Sequence, residues 1–141
     1  PGGRSTGKRA ALHEERIQEL TRQLQRYGRQ LAWLQRPADP KLPHLTRWVL
    51  RRRRNNDSNR PTVEAAHLLD ALQSMGWCQP AGMGVAPLSA SEILAWSTLT
   101  ENPVLPWEYE ALRAASAAYC SQSTRNDAIE PASNENLDAD D

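Results

Sequence analysis

The residues that could carry catalysis or bind a metal are few and widely separated. The three histidines, His13, His44 and His67, fall in three different segments of the chain. None of them lies near Cys78 or Cys120 at the spacing that zinc ligands show. The two cysteines are also far apart in the sequence and form no CxxC pair, which is typical of a protein from a reducing compartment. We therefore expect no metal ion, no cofactor and a cytosolic location.

One short motif imitates a nucleotide-binding loop. Gly2, Gly7 and Lys8 match G-x-x-x-x-G-K, the sequence of a loop that cradles phosphates. That loop requires a strand before it and a Ser or Thr directly after the Lys. Here no strand-forming segment precedes the motif, and Arg9 follows the lysine. We interpret residues 1–8 as a flexible leader.

Two neighbouring acids, Glu108 and Glu110, are the remaining candidates for chemistry. Residues two apart on a helix point in different directions, so these carboxylates are not expected to act together on one substrate. No apolar run approaches the ~20 residues that a helix needs to cross a bilayer. These patterns support no enzyme class, and we expect a protein that works by binding other macromolecules.

Charge is strongly segregated along the chain although the formal net charge is +0. Residues 1–60 are rich in arginine, whereas residues 61–123 and 124–141 are each net acidic. Such segregation informs about partners and not about the fold. The basic half could bind an acidic protein, RNA or DNA, or the chain's own acidic tail.

A regular apolar seam marks the segment from 9 to 36 as a basic amphipathic helix. Its apolar residues recur at steps of three and four, the spacing of a coiled-coil seam: Ile17, Leu20, Leu24, Tyr27, Leu31 and Leu34. Gly28 weakens the helix interior by roughly 0.5–1 kcal/mol relative to Ala. The seam can pack on the protein's own domain, or it can pair with a partner helix or a second copy. We take docking through these six residues as the working hypothesis.

The rest of the chain predicts a small helical domain. Three prolines make 37–43 a linker, because proline cannot continue a helix. Further helices are expected near 44–53, 62–75, 89–101 and 106–121, without a sheet, on the strength of apolar stripes and cap signals. The first ends in a basic cluster: Arg47, Arg51, Arg52, Arg53 and Arg54. The expected fold is all-α: the N-terminal helix, then a domain over 44–122 that ends in an αα-hairpin, with an acidic disordered tail over 123–141.

The last two helices carry a recognisable pattern. The segment from Leu88 to Trp96 is followed by a Pro-Trp-Glu helix start, then by Leu-Arg and Ala-Tyr pairs. This pattern resembles small tail proteins of long-tailed bacteriophages, which lie beside the tape-measure gene and are grouped with tail assembly chaperones. An upstream helix with Leu45 and Trp48 is similar as well. The chain differs from the family at Ser116, where the family has Asp. The matching residues are Glu92, Ile93, Trp96, Leu99, Pro106, Trp107, Glu108, Leu112 and Tyr119.

The resemblance implies a helper in tail building that binds the tape-measure protein, and perhaps tail tube subunits, in the host cytoplasm. The matching residues would then be structural, and the seam on the first helix would contact the partner or a second copy. The alternative is an Arg-rich nucleic-acid binder that uses the basic cluster, since basic residues beside aromatics suit a phosphate backbone. We favour the first function and expect nucleic-acid binding to be weak.

Overall fold

The computed structural model describes residues 2–53, 60–125 and 130–131, with side chains from residue 11 onward. The described chain contains five helices and one two-stranded sheet, which confirms the all-α class. In chain order the elements are α1 (Gly2–Leu34), α2 (Arg47–Arg53), α3 (Ala66–Met75), β1 (Gln79–Ala81), β2 (Gly84–Ala86), α4 (Ala90–Thr100) and α5 (Pro106–Ser123). None of these helices is long and apolar enough to cross a membrane.

The first helix is longer than predicted. It begins at Gly2, so residues 2–8, which we expected to be a flexible leader, continue the helix. Extending a formed helix adds a hydrogen bond for each residue fixed, whereas starting a new one is costly. The helix ends as predicted before the prolines.

The predicted linker 37–43 turns the chain back on itself. Leu42 N–H donates to the Asp39 carbonyl at 2.9 Å, and Arg47 N–H donates to the Arg36 carbonyl at 2.9 Å. Thr46 Oγ1 then accepts from Val49 N–H at 3.3 Å and caps α2, which begins at Arg47 and not near 44. The turn therefore places α2 beside the end of α1.

The helix predicted over 62–75 begins later, at Ala66. Thr62 is not its cap, because Ala65 occupies the N-cap position without a side-chain hydrogen bond. The preceding segment is tied to α1 instead: Gln23 Oε1 accepts from Glu64 N–H at 2.9 Å. Gly76 ends the helix as expected, and its N–H donates to the Leu72 carbonyl at 2.8 Å.

The expectation of no sheet was wrong. Strands β1 and β2 form an antiparallel hairpin in which Gln79 pairs with Ala86 and Ala81 with Gly84. Gly82 has φ +58°, a left-handed conformation that favours glycine, and it allows the tight turn between the strands. No strand was predicted for the glycine-rich segment 76–87, which lies between the helices expected over 62–75 and 89–101.

The hydrophobic core lies where α1, α3 and α5 meet. Leu24, Leu72 and Leu112 are each 0% exposed, and Ile93 from α4 is 2% exposed. Burying one such side chain contributes about 1.5–3 kcal/mol. The main helix pair is α1 with α5, so the long first helix belongs to the same packed body as the last. The αα-hairpin expected of the last two helices is not observed among the described residues, because α4 packs against α3 and not closely against α5.

Gly28 makes the close crossing of α1 and α5 possible. A Cβ at this position would lie 2.8 Å from Trp77 Cζ3 and 3.2 Å from the Ala115 carbonyl oxygen. The Trp77 ring is itself stacked between Tyr27 and Tyr119, with centroid distances of 5.9 and 5.7 Å. The glycine that weakens the isolated helix therefore gives room to an aromatic stack at the centre of the fold.

Candidate interaction surfaces

The apolar seam of α1 faces the protein's own core. Leu24 and Leu34 are fully buried, whereas Leu20, Tyr27 and Leu31 are half-buried against the core cluster. Ile17 is half-buried nearer the start of the helix. Much of the seam is therefore used by the protein's own core, and only the partly exposed sides of Ile17, Leu20, Tyr27 and Leu31 remain for a partner, so docking through the seam stays a prediction. The spacing of the seam residues predicted that one side of α1 is buried, but it could not show that α5 packs against that side.

Most of the phage-like motif residues build and orient the two last helices. Ile93 and Leu112 lie in the core, and the Trp96 indole N–H donates to Ser74 Oγ at 2.9 Å. Pro106 is the first residue of α5, where its missing N–H costs nothing. Tyr119 stacks on Trp77, and burial raises its pKa.

Glu108, which the sequence pattern predicts to be structural, makes two specific contacts at the start of α5. Its Oε1 accepts from Leu105 N–H at 2.9 Å and so caps α5. Its Oε2 lies 2.6 Å from His67 Nε2, and the His67 ring meets Trp107 edge-on at a centroid distance of 6.5 Å. Together with Trp96 and their neighbours, His67 and Glu108 line a cavity of about 80 Å³. This cavity is far smaller than the ~300–1,000 Å³ of ligand pockets.

Ser116, the position at which the chain differs from the family pattern, joins three segments. It is 0% exposed; its hydroxyl donates to the Trp77 carbonyl at 2.6 Å and accepts from Leu88 N–H at 2.8 Å. Both polar functions of the buried hydroxyl are therefore used. The serine fastens α5 to both ends of the segment that carries the β-hairpin.

Leu99 departs from the expected structural role. It is 83% exposed, whereas Ile93 on the same helix is 2% exposed. Six residues separate it from Ile93, and at about 100° per residue the two lie roughly 120° apart around the helix. Leu94 is also exposed, at 67%.

The outward side of α4 therefore exposes two leucines beside its small and polar residues. Ile93 is the one buried residue of the helix, and Glu92 is its one charged residue. Glu92 N–H donates to Ser89 Oγ at 3.2 Å, the cap that the sequence predicted. A surface helix normally turns charged and polar residues to solvent. We call Leu94, Ala95 and Leu99 the α4 face; they span roughly 140° of the outward side of the helix, with Ala95 between the two leucines.

The basic cluster is partly turned inward. The guanidinium groups of Arg47 and Arg51 lie over the Trp33 ring, 4.3 and 5.7 Å from its centroid. Arg51 also forms a salt bridge with Glu130, 2.6 Å between Nη2 and Oε1. Arg52 and Arg53 are exposed, and Arg54 lies outside the described residues.

Of the basic cluster, Arg47 and Arg51 lie over an aromatic ring and are engaged within the chain, whereas the nucleic-acid alternative stays a prediction. The arrangement also bears on the acidic tail predicted over 123–141. Most of that segment lies outside the described residues, but Glu130 is described, and it is bound to the basic cluster.

No known protein identifies the chain: no family model, no curated protein and no solved structure matches it. Within the described residues, no group of three or more His, Cys, Asp or Glu side chains could hold a metal ion.

Proposed function

We propose that this protein is a helper of bacteriophage tail assembly that binds the tape-measure protein in the host cytoplasm through the α4 face. The sequence pattern over 88–119 supports the tail-protein part of the proposal. The observation that carries the binding part is the exposure of Leu94 and Leu99 on a helix with a single charge. Such an apolar face on a small body suits contact with another protein.

The same motif region supplies both the rigid support and the free surface. Ile93 and the Trp96 indole fasten the inner side of α4 to the body, through the core and through Ser74. The opposite side is left to solvent with its leucines. Because the two leucines lie roughly 140° apart around α4, a partner surface that covers the outward side of the helix, and not a single contact line, would bury both.

A tape-measure protein is long and helical, and its apolar faces would aggregate before the tube encloses them. A helper needs an apolar face to cover such a surface and a polar body to keep the complex dispersed. The α4 face takes the first role, which we had assigned to the α1 seam. The rest of the body and the charged ends take the second.

The test is co-expression with the tape-measure protein from the same gene cluster. The variant Leu94→Asp/Leu99→Asp should lose co-purification with the tape-measure protein, because two charges would be buried without partners. Its own melting temperature should stay within about 2 °C of the wild type, since substitutions of exposed side chains have small effects on stability.

The matched control is Leu12→Asp. Leu12 is 58% exposed on α1, away from α4, so this variant changes an equally exposed leucine and should bind normally. The proposal fails if the wild type does not co-purify with the tape-measure protein, or if the α4 variant binds as well as the control.

A further inference from the structure

Glu130 is held by three donors that belong to α1 and α2. Its Oε1 accepts from Arg51 Nη2 at 2.6 Å, and its Oε2 accepts from Arg51 Nη1 at 2.9 Å. Gln30 Nε2 donates to the same Oε2 at 2.9 Å. The arginine thus binds the carboxylate through both of its terminal nitrogens, the geometry of the strong and directional pairs. Both oxygens of the carboxylate are engaged.

Both donor residues also contact the packed body. Gln30 lies on α1 and is 0% exposed with Glu130 in place. The Arg51 guanidinium lies over the Trp33 ring, and Arg47 covers the same ring while donating to the Trp33 carbonyl at 3.2 Å. A planar guanidinium that rests on an aromatic face is restricted before any carboxylate arrives. Arg47 adds a second positive charge beside it.

The carboxylate comes from a segment outside the packed helices. The last helix ends at Ser123, and Glu130 lies beyond it in the sequence. Hydrogen bonds from Arg51 lower the pKa of Glu130, against the opposing effect of burial, and Gln30 adds to the lowering. The donors therefore select an ionised carboxylate.

From this geometry we infer that Gln30, Arg51 and the Trp33 ring form a carboxylate-binding site for an acidic protein segment, and that Glu130 is its occupant within the chain. A glutamate-bearing segment of a partner protein takes the same place when it displaces Glu130. This inference does not depend on the tail-assembly role. It concerns a surface on α1 and α2, and the proposed tape-measure contact is on α4.

The internal occupant sets how strongly an external segment binds. A segment of the same chain acts at an effective concentration in the millimolar range, so it competes with any free peptide. The apparent dissociation constant of the peptide is raised by the fraction of molecules in which Glu130 occupies the site. Removing the Glu130 carboxylate should therefore free the site and lower the apparent dissociation constant of the peptide.

The experiment measures binding of a fluorescent peptide with the sequence of residues 126–135 by fluorescence anisotropy. The proteins are the full chain, its Glu130→Gln variant, and that variant combined with Arg51→Gln, Arg51→Lys or Arg52→Gln. We expect E130Q to bind the peptide at least about tenfold more tightly than the wild type, a change of about 1.4 kcal/mol. Adding R51Q should abolish the gain. Adding R51K should remove most of it, because lysine lacks the planar fork.

Arg52→Gln is the matched control. Arg52 is the exposed neighbour of Arg51 on the same helix, and its loss removes the same charge. It should weaken binding less than about threefold, as a screened surface charge does. A second control is the same peptide with glutamine in place of Glu130, which should not bind E130Q. Circular dichroism melts verify that each protein is folded. If the variant with R51Q does not fold, the comparison between E130Q and E130Q/R51K tests the role of Arg51 instead.

Three outcomes would overturn the inference. In the first, E130Q binds the peptide no more tightly than the wild type. In the second, R52Q weakens binding as much as R51Q, which would indicate general attraction between charges. In the third, a short oligothymidylate competes as well as the peptide, which would make the site a general anion site open to nucleic acid.

Discussion

Gly28→Ala tests the central packing of the fold, because two effects of known sign oppose each other at that position. Alanine is favoured over glycine inside a helix by about 0.8–1.0 kcal/mol. A free helix, or a helix that docks only to a partner, would therefore be stabilised by the change. In the folded chain the new methyl group would meet the Trp77 ring at 2.8 Å and the Ala115 carbonyl oxygen at 3.2 Å.

The contacts around Gly28 decide which effect is larger. The Trp77 ring cannot turn away freely, because Tyr27 and Tyr119 stack on its two sides. The Ala115 carbonyl belongs to the backbone of α5 and can move only with that helix. Overpacking of this kind costs about 1–3 kcal/mol, so we expect a net loss of up to about 2 kcal/mol after the gain in helix propensity. The melting temperature should fall by up to about 8 °C and should not rise.

Urea and thermal unfolding, followed by circular dichroism, measure the effect. Gly84→Ala is the matched control, since a Cβ there would meet nothing within 4 Å. It should be neutral or stabilising by up to about 1 kcal/mol, because alanine restricts the unfolded chain. If G28A raises the melting temperature as G84A does, then α1 does not cross α5 closely and the packing described above is refuted.

Three further predictions concern burial and charge. Leu24→Ala should lose about 2–5 kcal/mol in urea melts, whereas Leu12→Ala should change stability by less than about 0.5 kcal/mol. Equal effects would mean that the α1 seam is not core. Burial, followed by the nearby Cys78, raises the pKa of Cys120, so an aromatic disulfide reagent should label Cys120 more slowly than the half-buried Cys78 until urea is added; mass spectrometry of the labelled peptides would expose the opposite order. The lowered pKa of Glu130 means that its contribution to stability is complete above the ordinary glutamate pKa and is lost as pH falls through the folded value. At neutral pH the free energy of unfolding of the wild type should therefore exceed that of E130Q by a fraction of a kcal/mol, as expected for a partly exposed ion pair. This difference in stability should vanish in acid. If urea melts show a difference that does not depend on pH, the prediction is contradicted.

The elements with strong local signals were predictable from the sequence. The helices expected over 89–101 and 106–121 are close to the observed α4 and α5, because Ser89 and Pro106 define their starts by interactions within one turn. The hairpin was missed for the opposite reason. Its strands are three residues each, too short to show an alternating pattern, and its turn depends on the left-handed conformation of Gly82.

Contacts between distant segments could not be deduced in this way. The spacing of Leu24 and its neighbours shows that one side of α1 is buried, but a partner helix and the chain's own α5 would require the same spacing. Gly28 was interpreted only as a residue that weakens the helix, since the residues near it in the sequence do not indicate its contact with Trp77. The pairing of Arg51 with Glu130 was indicated only by the opposite charges of the two halves. The residues themselves emerged from the structure.

Because the core covers much of the α1 seam, we propose that binding uses two surfaces that folding leaves more accessible, and these two candidates differ in their physical chemistry. The α4 face is apolar, so its contacts depend on removing leucine side chains from water and should hold at raised salt. The carboxylate site depends on Arg51 and on a charged ligand, and half-exposed ion pairs weaken as salt screens them. The two surfaces therefore separate experimentally by salt as well as by mutation. A partner that used both would lose only part of its affinity at high salt, and the part that remained would be the part removed by L94D/L99D.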